Sequence, residues 1–128
     1  MKDSILFTKS KVFALRIVWL YKYLREHKES VIAKQMLRAG TSIGANIAES
    51  RYAQSKPDFA SKLQIALKEA SETEYWLVLL RDAELVEPSP AFDSICDDCT
   101  ELIKLLTTVI ANILLGYPRS FGQCRLPS

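Results

Sequence analysis

Apolar residues recur along this chain at helical spacing in four long runs. The run from 31 to about 52 carries a regular two-sided pattern. At about 100° per residue, Ala33, Met36, Leu37, Gly40, Ile43, Gly44, Ile47 and Ala48 share one face. Gln35, Arg38, Ser42, Asn46 and Glu49 share the other. Its composition is poor for a helix: Gly40, Gly44, the hydroxyl residues Thr41 and Ser42 side by side, Asn46 and β-branched Ile43. A weak helix former with so regular a face is held by packing. Gly40, Gly44 and Ala48 sit four apart and strip side chains from the buried stripe, which invites close approach by another helix.

The other runs read the same way. The first helix is expected to start between residues 8 and 10 and to run to about 27. Its seam is Phe13, Ile17, Leu20 and Leu24, and a second apolar line, Val12, Trp19 and Tyr23, lies beside it. A helix apolar over so much of its circumference is covered on more than one side. Residues 26–30 read as a turn, with Ser30 as a cap. The third helix spans 57 to about 83, with Phe59, Leu63, Ala66, Ala70, Thr73, Leu77 and Leu80 in a heptad seam. Beside that seam run Ile65, Glu69, Glu72, Trp76 and Leu79. Ser55 caps it, Pro57 suits its first turn, and Asp58 resembles the partner in a capping box. Ser89 and Pro90 open a fourth helix, with Ile95, Cys99, Leu102, Leu106, Val109 and Ile113 as its seam and Gly116 with Pro118 as its stop.

Four long helices joined by short connections imply an all-α, antiparallel up-down-up-down bundle over residues 1–116, with 117–128 as a loose tail. The surplus apolar surface of the first helix implies association with further copies. With 128 residues, 48% hydrophobic and 25% charged, one soluble domain is expected. No run of about 18 apolar residues is present and the N-terminus lacks an apolar signal core, so the expectation is a cytoplasmic protein without a membrane partner.

Charge changes the picture through its distribution. Residues 1–62 carry 12 Lys and Arg against 5 Asp and Glu, whereas residues 63–128 carry 5 against 10. Complementary helices within a bundle or between subunits explain this split, and so does a basic half that meets a polyanion. Lys9, Lys11, Arg16, Lys22, Arg25, Lys28, Lys34 and Arg38 form the basic set, of which Lys11, Lys22, Arg25, Lys34 and Arg38 are the candidate nucleic-acid contacts. No helix-turn-helix or RNA-binding signature is present, so such contacts would address the backbone.

Candidate catalytic chemistry is thin. Cys96-Asp97-Asp98-Cys99 is a CxxC, but Cys124 and His27 are poorly spaced to complete a zinc site, and Cys99 falls on an apolar seam. Buried reduced thiols account for the pair, with metal or redox work as the other reading. Glu49, Glu69 and Glu72 invite comparison with di-metal bundles, yet the Glu-x-x-His pairs those sites use are absent. Pairing of these acids with Arg or Lys of a neighbouring helix or subunit fits better. No phosphate-binding glycine loop, GxSxG or HExxH occurs. The expectation is therefore no enzyme, no cofactor and no metal. The stripe Gln35, Arg38, Ser42, Asn46, Glu49 is either a solvated face or a subunit seam.

Ser42-Ile43-Gly44-Ala45-Asn46-Ile47-Ala48-Glu49 resembles the SI-x-ANIAE signature of the bacterial four-helix-bundle family, the 23S rRNA intervening-sequence proteins. Asp58-Phe59, Lys62-Leu63, Ile65 to Ala70 and Glu72-Thr73-Glu74-Tyr75-Trp76-Leu77 agree with its third helix. The resemblance covers about residues 5–115. It implies an up-and-down bundle assembled as a homopentameric ring. Some members are encoded in insertions within the large ribosomal RNA gene. A related branch, similar in fold, is the accessory variability protein of diversity-generating retroelements, which is basic and associates with a reverse transcriptase and nucleic acid. The family implies that Ser42, Asn46 and Glu49 act in structure or between subunits; Gly44, Glu69 and Glu72 stand beside them as candidate structural or oligomer residues. This chain departs from the retroelement branch in its mild net charge of +2 and its acidic second half. The function expected is an accessory or scaffold in a nucleic-acid-linked complex; the alternative is a protein-binding adaptor that touches no nucleic acid.

Overall fold

A computed structural model describes residues 4–116. Among them are four helices, α1 (Ile5–Glu26), α2 (Val31–Ser50), α3 (Lys56–Asp82) and α4 (Pro90–Leu115), and no strand. The expected tail at 117–128, with Cys124, lies outside the described residues.

Local chemistry explains the ends. Ser55 accepts from the Asp58 N–H at 3.2 Å, and Ser89 from the Phe92 N–H at 3.1 Å, each ahead of a proline in the first turn. The Asp58 carboxylate reaches back to the Gln54 N–H rather than to Ser55, so the capping box is displaced by one residue. Gly116 closes α4 in the left-handed region, at φ 68°. Two expectations are corrected. α1 starts at Ile5, not at residues 8–10, because Ser4 accepts from the Phe7 N–H at 3.1 Å and Leu6 already belongs to the core. Ser30 makes no cap bond; the Glu29 carboxylate instead accepts from the Ile32 and Ala33 N–H groups, at 2.7 and 3.1 Å.

Consecutive helices pack side by side and α4 closes against α1, while α1 and α3 lie diagonally opposite. Cross-helix pairs show the antiparallel sense. Going along α2, Gly40 faces Ile17 and Gly44 faces Ser10 of α1, in reverse order. Arg38 and Glu49 of α2 meet Glu69 and Lys62 of α3, again reversed. Lys9 and Arg16 of α1 meet Glu101 and Asp98 of α4.

The predicted seams form one core. Phe13, Ile17, Leu24, Met36, Ile43, Ile47, Leu63, Leu77, Leu80, Leu102 and Leu106 are fully buried in it. Burying one such side chain stabilises the fold by about 1.5–3 kcal/mol. Ala66, Ala70 and Thr73 line the middle of α3, where small volume admits neighbouring helices. The buried hydroxyls cost little because their own helices satisfy them. Ser10, Ser50 and Thr73 donate to the carbonyls of Phe7, Ile47 and Glu69, at 2.9, 2.6 and 2.7 Å.

The two α2 glycines are not equivalent. A Cβ on Gly40 would stand 2.9 Å from Ile17 Cγ2 and 3.0 Å from Ile17 Cγ1, and Ile17 is fully buried. A Cβ on Gly44 would meet Ser10 O and Oγ at an ordinary 3.5 Å. Gly40→Ala is expected to destabilise by about 1–2 kcal/mol, since overpacking outweighs the gain in helix propensity. Gly44→Ala is expected to stabilise by about 0.5–1 kcal/mol through that propensity. Urea unfolding midpoints of the two variants check the opposite signs.

Candidate functional site

Among the described residues the candidate site is a pair of surfaces. The first is the α2–α3 seam. Arg38 and Glu49 form it from α2, and Lys62, Glu69, Glu72 and Trp76 form it from α3. Arg38 lies between two carboxylates, with Glu69 Oε1 at 3.3 Å and Glu72 Oε2 in contact. Glu72 Oε2 also accepts from the Trp76 indole N–H at 2.9 Å. Lys62 donates to Glu49 at 3.0 Å. These pairs clip α2 to α3 within one chain, each partly exposed pair contributing up to about 1 kcal/mol.

The motif's uncharged members turn inward on their own helix. Ser42 Oγ donates to Arg38 O at 2.7 Å, Asn46 Nδ2 to Ser42 O at 2.9 Å, and Thr41 Oγ1 to Leu37 O at 2.8 Å. Each bond satisfies a side chain without a second helix. Spacing could not reveal this, because it is a choice of rotamer.

The second surface is the outer face of α1. The core line of α1 is Leu6, Ser10, Phe13, Ile17, Leu20 and Leu24. Opposite it, Ile5, Thr8, Val12, Leu15 and Trp19 repeat at alternating steps of 3 and 4 and stay exposed. Trp19 is 62% and Leu15 48% exposed. The sequence showed part of this line through Val12 and Trp19. It missed Ile5 and Leu15, and it included Tyr23, which packs partly against the core and stacks on His27 at 4.0 Å. The earlier start of α1 was the missing signal for Ile5; Leu15 lies inside the expected helix and continues the Val12–Trp19 line at the same spacing.

The basic set divides by partner. Arg16 binds Asp98 at 2.5 Å and Ser94 Oγ at 3.0 Å, and Lys9 binds Glu101 at 3.2 Å. Arg38 is held as described above. Arg25 lies over the Tyr21 ring at 5.6 Å. Lys11, Lys22 and Lys34 are exposed and form no ion pair among the described residues. Of the five candidate nucleic-acid contacts, Lys11, Lys22, Arg25 and Lys34 therefore present their charge outward, and Arg38 does not.

Cys96 and Cys99 are unpaired thiols one turn apart on α4. Burial pushes the Cys96 thiol up. Burial, aided by the Glu74 charge, pushes Cys99 up to about 12, and its Sγ lies 3.5 Å from Ala70 O. His27 Nδ1 donates to Tyr23 O at 2.7 Å, at the end of another helix. Among the described residues no group of three His, Cys, Asp or Glu converges as a metal site.

The thiolate is the reactive form, so Cys99 is expected to resist iodoacetamide until the chain unfolds, and Cys96 to react more slowly than an ordinary thiol. Peptide masses after timed labelling, with and without urea, check this. The raised Cys99 value also carries a sign. Its contribution to stability is complete below the ordinary 9.0 and is lost as pH rises toward about 12.

The family model of the 23S rRNA-intervening sequence protein matches residues 2–108. No curated protein matches the chain. Five solved chains match. One is the 1.70 Å crystal structure of a protein with unknown function from the S23 ribosomal protein family of Bacteroides thetaiotaomicron VPI-5482. It is 55% identical, covers 83% of this chain and 98% of its own, and superposes with a TM-score of 0.79. A match over nearly the whole bundle, on a shared four-helix fold, means that this chain belongs to the 23S rRNA-intervening sequence protein family.

Proposed function

We propose that this protein is a non-enzymatic, self-associating bundle that serves as a cytoplasmic scaffold in a nucleic-acid-linked complex, with five copies in a ring. The observation that carries this reading is the outer seam of α1. Ile5, Val12, Leu15 and Trp19 form a coiled-coil register turned away from the core. A reactive reading has little to build on among the described residues, since burial pushes the Cys96 and Cys99 thiols up and the one histidine is tied to a backbone carbonyl. The nucleic-acid link draws on Lys11, Lys22, Arg25 and Lys34, which point outward on α1 and α2. They suit phosphates of ribosomal RNA, or of a nucleic acid handled by a reverse transcriptase, read without base specificity.

The second reading is a protein-binding adaptor. Exposed Glu74, Glu84, Glu87, Asp93 and Asp97 favour it, because they would suit a basic protein partner.

Native mass of the purified protein is expected to be a multiple of 14.5 kDa, five-fold for the ring. A single-copy mass at high concentration would remove the scaffold. An electrophoretic shift with a ribosomal RNA fragment is expected at low salt. It should fade steeply as salt rises and weaken in the double variant Lys22→Glu/Lys34→Glu. No shift at low salt, with a pull-down that survives nuclease, would favour the adaptor.

A further inference from the structure

The end of the bundle where α4 finishes is apolar and exposed. Leu114 and Leu115 close α4 at 61% and 62% exposed. Tyr52, in the connection from α2 to α3 at the same end, is 78% exposed. Leu114 continues a line of α4 that runs through Cys96 and Ile103, at steps of 7 and 11 residues. That line flanks α3, because Cys96 lies within reach of the Arg81 and Glu74 charges. Leu114 therefore looks toward the start of α3 and the Tyr52 connection. Beside them Ala53 and Ile113 are only partly covered where they pack on the core. None of these residues belongs to the outer α1 seam.

Gly116 then takes the chain off the helix axis. It sits at φ 68°, its N–H donates to Asn112 O, and the space beside its α-carbon is open. Pro118 follows, a residue that does not continue a helix. Residues 117–128 read as a loose tail by their Pro, Gly and Ser, yet they also carry Tyr117, Phe121 and Leu126. They hold two Arg and no acid, whereas residues 63–116 hold 3 Lys and Arg against 10 Asp and Glu. Charge thus draws the segment back toward α3 and α4. The family match, over residues 2–108, does not include it.

From this we infer that residues 117–128 fold back from Gly116 over this end of the bundle, Tyr117 and Phe121 covering Leu114, Leu115 and Tyr52. The reach suffices. Five residues from Gly116 to Phe121 span up to about 16 Å, and neighbouring helix axes stand about 8–10 Å apart. The chain's own segment is the favoured occupant, because attachment at Gly116 gives it an effective concentration that a free partner lacks. With this end closed, the sides of the bundle are left for partners. The cover leaves the α1 seam untouched, so the inference stands apart from self-association.

A photo-crosslinking phenylalanine analogue in place of Phe121 tests the contact, with crosslinked peptides identified by mass. Irradiating a mixture of light and heavy-isotope chains separates contacts within a chain from those between copies. Crosslinks from position 121 to the Tyr52 connection of the same chain are expected. They are expected to fall several-fold in the variant Leu114→Ser/Leu115→Ser, whose helix content circular dichroism checks. Should that variant lose helix, Leu115→Ser alone replaces it. Mixed light and heavy crosslinks at Tyr52 would mean that the segment covers a neighbouring copy, and the inference fails. Crosslinks confined to residues next to Gly116, or scattered over the surface, overturn it too. So does a Tyr52 crosslink that the leucine variant leaves unchanged. None of these outcomes decides whether copies associate, which the native mass reads separately.

Discussion

A single helix cannot turn two apolar faces toward one core. α1 meets this constraint directly. Its line from Leu6 to Leu24 fills the bundle interior, and its line from Ile5 to Trp19 looks the other way. Both lines have the alternating step that suits a partner helix. The inner line is satisfied by α2 and α4. The outer one exposes Val12, Leu15 and Trp19 together, a contiguous apolar stripe of the kind that marks a contact surface. The functional reading depends on that imbalance more than on any single polar residue.

The polar signature on α2 has a different physical role. Ser42, Asn46 and Thr41 return their hydrogen bonds to carbonyls one turn back, which leaves α2 polar outside without asking for a partner. Gly40 and Gly44 bring α2 against α1, and Arg38, Glu49 and the α3 carboxylates hold its other edge. A helix of poor intrinsic propensity is thus stabilised from both sides by tertiary contacts. The charges that fasten α2 to α3 and α1 to α4 also remove Arg38, Arg16 and Lys9 from the basic surface. Within the basic set, the outward charge is left to Lys11, Lys22, Arg25, Lys28 and Lys34.

Much of the architecture was legible because helical period and capping chemistry are local. Phe59 to Leu80 announced α3, and Ser55, Ser89, Pro90 and Gly116 announced boundaries. The pairing of Glu69 and Glu72 with a base on another helix was legible as chemistry, but its partner Arg38 depends on the offset between α2 and α3. Other features depend on choices that spacing does not encode. Ser4 captures the start of α1 ahead of the expected residues, which hid Ile5 as a member of an outer line. Glu29 takes the capping role that Ser30 seemed suited to, because its longer side chain reaches two N–H groups. Ser42 and Asn46, whose stripe reads by composition as either a solvated face or a subunit seam, bond to carbonyls one turn back in α2, a choice of rotamer that spacing does not encode.

Trp19 reports on the central claim most directly, since the chain has only one other tryptophan. In a Trp76→Phe variant the remaining emission comes from the outer α1 seam. Self-association through that seam predicts blue-shifted emission, protected from acrylamide, in concentrated protein. On dilution it should move to the red and become quenchable, in step with the fall in native mass. Emission that is fully exposed at every concentration, whatever the mass, would contradict the account.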